Sequence, residues 1–295
     1  TICAHRCQNK CTRNFYEESV QIRDTKLVAA YHGYDALMAS IKKPAKVSGK
    51  KAAIIGGGPT GIAAAYFLGR AGIETTIFER EACLGGVPRH VIPSFRIANE
   101  TIEKDIALMQ KYDVEVKCGA PAPSVDELKK MGYTHILFAV GAWKPGKLDI
   151  PGDMAGAIQW MKGVKAGNIA VGGNVVVVGG GNTAMDAARL AKRSGAKNVT
   201  LVYRRTKKYM PADEHELALA LQDGVAFAEL AAPVAQADGV LKCEQMKLGE
   251  ADASGRRSPV GTGEFFTVPC DLVISAVGEQ VDDALMSANG IELDK

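Results

Sequence analysis

The chain has 295 residues, which at about 100–200 residues per domain suggests two domains. Hydrophobic residues make up 47% and charged residues 23%, which excludes a disordered chain and a disulfide scaffold. The net charge of +3 is too small to predict nucleic acid or an anionic membrane as a partner.

Three of the seven cysteines, Cys3, Cys7 and Cys11, open the chain, and Cys83, Cys118, Cys243 and Cys270 are scattered singly. A secreted framework spreads paired cysteines more evenly, so the pattern predicts a reducing compartment, the cytoplasm, and one cysteine-based site. No secretory signal precedes them, and a start at Thr1 reads as a fragment of a longer protein. Residues 15–40 have helical spacing, with Val20, Leu27, Val28 and Leu37 as packing positions. Lys50–Arg80 reads as a short apolar strand, a glycine turn, an Ala-rich helix and a second strand ending in charge. Asn99 is placed to N-cap a helix carrying Ile102, Ile106 and Met109. A buried strand, His135–Ala142, ends in Ala-Val-Gly.

Segment 145–173 is rich in Gly and Lys and contains Pro145 and Pro151, so the domain junction is expected there. Asn174–Arg205 then repeats the order of Lys50–Arg80, and Asp271–Glu279 repeats the strand ending in Ala-Val-Gly. Asp252–Pro259 reads as a turn between two β segments. Two uncharged runs, Ala52–Gly69 and Asn168–Met185, are long enough for membrane helices, but each is cut by Gly-Gly-Gly. They read as strand–turn–helix units, and no membrane span is expected. Short strands alternating with helices predict an α/β fold with parallel sheets and right-handed crossovers.

The first turn is Gly56-Gly57-Gly58-Pro59-Thr60-Gly61, with glycines at the three fingerprint positions 56, 58 and 61. It follows a strand and opens a helix, and Glu79 ends the next strand about 20 residues on, the context of a dinucleotide site. Gly56 permits the tight turn, Gly58 lets a pyrophosphate approach the backbone, and Gly61 lets helix and strand pack closely. Glu79 suits a ribose diol. The second turn is Gly179-Gly180-Gly181-Asn182-Thr183-Ala184, and the strand after it runs into Arg204-Arg205 instead of an acid. Arginines can bind a 2′-phosphate that a carboxylate would repel, so this site is expected to take NADP rather than NAD. Without a ligand, Arg204, Arg205, Lys207 and Lys208 read as a solvated basic run.

An acidic and a basic dinucleotide site in one chain suggest a two-cofactor enzyme, and a family becomes recognisable. The chain resembles the small (β) subunit of NADPH-dependent glutamate synthase, and is closer still to related selenate reductase-type flavoprotein subunits. The segments ICAHRCQNKCTRN, Glu79-Arg80 with Leu84-Gly85-Gly86, VPRHVIPSFRI, GGGNTAMDAA and VYRRTKKYMP carry the resemblance. It implies two Rossmann-like domains, the NADP domain inserted in a split FAD domain, after a short helical cysteine-containing segment. The expected divisions are 1–45 for that segment, 46–150 for FAD, 151–280 for NADP, and 281–295 for the start of the return to the FAD domain.

By the same resemblance, Gly85, Gly86, Val87 and Arg96 lie along the flavin, although Gly85-Gly86 also reads as a surface turn. Val140 and Gly141 end a strand beside FAD, and Val277 and Gly278 end its counterpart beside NADP. Met210-Pro211 and Glu214 either border the nicotinamide nucleotide or simply start a helix at Pro211. Cys3, Cys7 and Cys11 match a region that carries [4Fe–4S] ligands; soft thiolates suit iron, but a full site needs four. No closely spaced cysteine pair accompanies the flavin segment, which argues against a thioredoxin-reductase-like dithiol.

The expected function is a module that passes hydride from NADPH to FAD, then electrons through iron–sulfur centres to a partner subunit or domain. Direct transfer from flavin to a small acceptor is an alternative, as is a non-catalytic nucleotide-binding subunit. The Gly-Asp segment that completes the flavin domain in the resembling proteins does not follow Lys295, so an incomplete FAD pocket is expected.

Overall fold

The computed structural model describes residues 2–3, 5–251 and 257–292. The first five residues of the expected 252–259 turn and the last three of the expected return lie outside the described residues; Arg257–Pro259, the end of that expected turn, already run in a β-strand instead. The chain divides into two units. The first runs to Arg89 and adds Ser94–Gly141 and Ser287–Glu292; the second holds His90–Pro93 and Ala142–Met286.

In chain order the first unit carries α1 (Arg6–Asn9), α2 (Ile22–Ser40), β1 (Lys51–Ile55), α3 (Pro59–Arg70) and β2 (Glu74–Glu79). It continues with α4 (Gly86–His90), α5 (Asn99–Gln110), β3 (Glu115–Cys118), α6 (Val125–Lys130) and β4 (His135–Phe138). The four strands are all parallel, in the order β3-β2-β1-β4. The central pair, β1 and β2, are buried almost continuously, as strands covered on both faces must be. Ile62 and Ala65 of α3 pack inward on one side. Ala53, Ile55, Phe78, Leu128 and Tyr133 form a cluster with α6 on the other. A capping box starts α6: Ser124 Oγ accepts the Glu127 N–H at 3.3 Å, and Glu127 Oε2 accepts the Ser124 N–H at 2.8 Å.

Two local expectations are corrected. Asn99 is the first residue of α5, not its cap; Ala98 holds the N-cap position and makes no side-chain hydrogen bond there. The apolar face of α5 is as read, with Ile102, Ile106 and Met109 buried. In α2 no residue is buried, and Val20, Val28 and Leu37 are exposed while Leu27 is half-buried. This helix meets α5 through polar and aromatic contacts instead. Tyr34 Oη donates to the Lys104 carbonyl at 3.1 Å, and the Lys104 ammonium lies over the rings of Tyr31 and Tyr34.

The second unit begins with β5 (Lys144–Pro145), β6 (Ala155–Gly156), α7 (Ala157–Lys165), β7 (Asn174–Val178), α8 (Asn182–Arg193) and β8 (Asn198–Tyr203). Next come α9 (Glu214–Gln222), β9 (Ala226–Glu229), β10 (Ala231–Ala237), β11 (Val240–Ala251) and β12 (Arg257–Pro269). It closes with β13 (Leu272–Ser275) and β14 (Glu279–Gln280), and α10 (Asp283–Ala288) follows. The main sheet is parallel, in the order β6-β13-β7-β8-β9. Starting from β9, it repeats the strand order of the first unit. The buried alanines Ala184, Ala187, Ala188 and Ala191 line the inward side of α8. An antiparallel sheet, β10-β11-β12, packs Leu241 and Cys243 against Val176, Val178 and Val202.

The two uncharged runs resolve into β1–turn–α3 and β7–turn–α8. Among the described residues no helix is long and apolar enough to cross a membrane.

Candidate nucleotide-binding sites

In the first unit β1 runs into Gly56, whose φ of 107° is open to glycine. A Cβ there would collide with the Ala139 carbonyl oxygen, and one at Gly61 with the Gly56 carbonyl oxygen. The turn is pinned at its base, because the Gly56 N–H donates to the Phe78 carbonyl at 2.8 Å. Pro59 and Thr60 open α3, with Gly58 at the N-cap and no side chain capping the helix. The first N–H groups of a helix lack intrahelical partners and favour an anion.

Glu79 is buried at the end of β2. Its Oε2 accepts the Gly57 N–H at 2.6 Å and its Oε1 accepts the Glu81 N–H at 2.8 Å. Each oxygen keeps a lone pair for another donor. Leu84, Gly85 and Gly86 fold back over this turn. Gly85 N–H donates to the Gly57 carbonyl at 2.8 Å, and a Cβ on Gly86 would come within 2.7 Å of Gly58 Cα. The surface-turn reading of Gly85-Gly86 therefore fails, because both are buried against the fingerprint glycines.

Residues 56–61, 79, 84–86 and 139 thus converge at the carboxyl ends of β1, β2 and β4, where parallel sheets bind ligands. Val87 is half-buried in α4, and Val140 and Gly141 leave the end of β4. Arg80 is exposed with its Nε 3.8 Å from Glu81, and Arg96 is half-buried between α4 and α5. A buried acceptor for ribose hydroxyls beside an uncapped, glycine-lined helix start fits the adenosine diphosphate half of FAD.

The second unit repeats the turn. Gly179 N–H donates to the Val202 carbonyl at 3.1 Å, and a Cβ on Gly179 would collide with the Ala276 carbonyl oxygen. Gly181 has open space around its Cβ position, and Asn182, Thr183 and Ala184 begin α8. By strand register, Tyr203 occupies the place of Glu79. Its ring packs on Gly180, and its hydroxyl donates to the Tyr209 carbonyl at 2.8 Å. No sequence signal marked Tyr203.

Arg204 is exposed, and its side chain has no hydrogen-bond or ion-pair partner among the described residues. Arg205 is 9% exposed, and its Nε donates to the Arg257 carbonyl at 3.3 Å. The loop that follows lies on the glycine turn. Ala212 N–H donates to the Gly180 carbonyl at 3.0 Å and Asp213 N–H to Asn182 Oδ1 at 3.2 Å. The helix therefore starts at Glu214 under an Asp213 cap, not at Pro211.

Glu279 sits just past Val277 and Gly278. Burial raises its pKa, while a hydrogen bond from Thr183 lowers it. An ion-pair network ties α8 to α9: Asp223 takes Arg193 at 2.7 Å and Arg189 at 2.8 Å, and holds a pKa pushed down to about 2. An open glycine turn, followed one strand later by an exposed arginine with no partner among the described residues, fits a 2′-phosphorylated dinucleotide.

All seven cysteines are free thiols. Cys3 and Cys7 are exposed, and Cys11 accepts backbone hydrogen bonds from Val20 and Arg13 that lower its pKa. Among the described residues no three His, Cys, Asp or Glu side chains are arranged to hold a metal ion, so these thiols are not gathered as a ligand set. Cys83 is less isolated than its sequence position suggests. After burial and Glu79, its electrostatic influence is a further cause of the raised Cys118 pKa.

Two parallel sheets, each with a glycine turn where a strand meets a helix, define a protein with two dinucleotide-binding folds. The chain belongs to the pyridine nucleotide-disulphide oxidoreductase family, whose pattern matches residues 50–295. These are NAD(P)H-dependent FAD oxidoreductases, and the fold and cofactor classes read from the sequence agree with that membership. Among its relatives is the Escherichia coli (strain K12) protein YgfK, 42% identical over 302 residues, covering 100% of this chain and 29% of the relative.

The NADPH-Fe(3+) oxidoreductase subunit beta of Geobacter sulfurreducens (strain DL-1 / KN400) is 35% identical over 317 residues, covering 100% of this chain and 47% of that one. The glutamate synthase [NADPH] small chain of Azospirillum brasilense is 34% identical over 268 residues, covering 82% of this chain and 55% of that one. The chain therefore spans about a third to a half of these proteins. Among solved structures, FprA, a Mycobacterium tuberculosis oxidoreductase, superposes with a TM-score of 0.64 at 19% identity, covering 78% of this chain and 71% of that one.

Proposed function

We propose that this chain is the nucleotide-binding part of an NADPH-dependent flavoprotein oxidoreductase that delivers electrons to a partner subunit or domain in the cytoplasm. Residues 46–150 would hold FAD, residues 151–280 would hold NADPH, and residues 281–295 would begin the return to the flavin part. One contrast carries this reading. The same turn is followed by a buried carboxylate, Glu79, in one unit and by Tyr203, Arg204 and Arg205 in the other. The carboxylate accepts from a ribose diol and repels a 2′-phosphate; guanidinium groups attract that phosphate.

When bound, FAD supplies hydride acceptance and one-electron release. The chain's own residues bind and orient. Gly58 and the start of α3 would meet the FAD pyrophosphate, and Glu79 its ribose. Gly85, Gly86, Val87, Arg96, Val140 and Gly141 would line the flavin. Gly181 to Ala184 would meet the NADPH pyrophosphate, Arg204 and Arg205 its 2′-phosphate, and Val277 and Gly278 its nicotinamide end. Hydride transfer needs no acid–base side chain, and none is assigned.

The onward route to a partner is supported by the relatives that carry subunit names. An iron–sulfur centre on Cys3, Cys7 and Cys11 would suit that route. The described residues supply three thiols where four ligands are needed and do not gather them, so no step is derived through a cluster.

The test is an anaerobic absorbance titration of the full-length protein with NADPH and NADH, with flavin, iron and acid-labile sulfide assayed on the same sample. Yellow protein bleached by NADPH ahead of NADH is the expected result. Protein that NADPH leaves unreduced after FAD is added overturns the enzyme reading in favour of a nucleotide-binding subunit.

A further inference from the structure

The antiparallel sheet of the second unit plays no part in the glycine-turn motif, yet its long hairpin reaches the basic loop after β8. Arg257 opens β12, and its carbonyl lies 3.3 Å from Arg205 Nε, although the two residues are 52 apart in the chain. The hairpin is also tied to this loop through the backbone. Leu230 N–H donates to the Arg205 carbonyl at 3.1 Å, and Met246 N–H of β11 donates to the Leu230 carbonyl at 2.7 Å. Arg257 is exposed. Its side chain, like that of Arg204, has no hydrogen-bond or ion-pair partner among the described residues.

Three arginines therefore share one backbone neighbourhood: Arg205 is buried with its Nε on the Arg257 carbonyl, and Arg204 and Arg257, one on each chain segment, are exposed. The acid joined to this loop is Glu229, whose Oε2 accepts the Lys207 backbone N–H at 3.0 Å. Glu229 makes no ion pair with the three arginines among the described residues. Long arginine side chains that leave neighbouring backbone can reach one shared anion, and that anion relieves the repulsion their approach creates. A terminal phosphate offers three acceptor oxygens, and arginine binds such oxygens in a paired, planar way.

We propose that Arg257 is a specificity residue for the 2′-phosphate of NADPH, closing a three-arginine site with Arg204 and Arg205. The proposal rests on reading the second unit as the NADPH-binding part. It extends the anion site from one loop after β8 to a second element that no local motif connects to it.

The test is calorimetric titration of the full-length protein and its Arg257→Ala, Arg257→Lys and Arg204→Ala variants with 2′,5′-ADP and 5′-AMP, at two salt concentrations. Among the described residues Arg257 makes its contacts through the backbone, as the first residue of β12 and as the acceptor for Arg205, so Arg257→Ala keeps them, and a thermal melt checks the fold. The expected result for Arg257→Ala is a loss of about tenfold or more for 2′,5′-ADP, a weaker salt dependence, and unchanged 5′-AMP binding. Arg257→Lys should fall between, because it keeps the charge but loses the paired geometry. If Arg257→Ala binds 2′,5′-ADP like the parent while Arg204→Ala does not, the proposal fails and the NADPH reading stands. If the parent protein does not prefer 2′,5′-ADP over 5′-AMP, both fail together.

Discussion

Glu79 Oε2 accepts the backbone N–H of Gly57 at 2.6 Å, joining the end of one strand to the glycine turn that leaves its neighbour. The other carboxylate oxygen takes the Glu81 N–H at 2.8 Å, so the acid is fixed in place before any ribose arrives. Glu79→Ala would strip two backbone donors of their acceptor. It is expected to cost about 1–3 kcal/mol of stability and to lower flavin retention. Glu79→Gln keeps one acceptor oxygen and should be milder in both. Thermal melts and flavin-to-protein ratios of the full-length protein measure this.

The glycines separate folding from binding. Gly61→Ala would push a Cβ into the Gly56 carbonyl, which is backbone and cannot swing aside, so the variant should fold poorly. Gly181→Ala meets no atom within 4 Å, and the Gly181 φ of −95° suits any residue. It should melt like the parent and yet bind NADPH more weakly, because the methyl group would stand where the proposed site brings in the pyrophosphate. An NADPH titration beside a thermal melt separates the two effects.

Arg204 and Arg205 are predicted to behave differently despite being neighbours. Arg204→Ala removes an exposed guanidinium with no partner among the described residues, and should weaken NADPH about tenfold or more while sparing NADH and stability. Arg205→Ala empties a buried position and frees the Arg257 carbonyl, so it should lower both the melting temperature and NADPH affinity. Equal loss for both nucleotides in either variant would remove the basis for NADP preference.

The link from α8 to α9 makes stability sensitive to acid. Arg193 first, then Arg189, holds the Asp223 carboxyl down to about 2 from an ordinary 3.8. A lowered folded-state pKa means that the pair's contribution is whole above pH 3.8 and fades as the pH falls toward about 2. Asp223→Asn should destabilise the second unit at pH 7 and flatten that acid limb. Melting temperatures between neutral and acid pH check it.

Much of this protein is written locally. An apolar run, a glycine turn and an Ala-rich helix specify one another over a few residues, because turn geometry and strand burial are short-range demands. That is why both Rossmann-like units, the fingerprint glycines and Glu79 were legible in the chain, and why the repeat exposed their kinship. The same local signals misplaced ends and faces. Asn99 has the chemistry of a cap but sits one residue inside α5, and α2 has helical spacing without a surface to bury it.

What no local pattern could disclose is what the chain brings together from a distance. Tyr203 takes the position of Glu79 because parallel register, not composition, sets which residue ends beside the turn. Leu84 to Gly86 close over Gly57 and Gly58, Asp213 reaches Asn182, and Arg257 arrives beside Arg205. Sequence therefore determined which chemistry each nucleotide site would offer, since that is carried by side chains near a turn. Tertiary structure decided which partners complete each site, because sheet register and the packing of the antiparallel hairpin are properties of the folded chain alone.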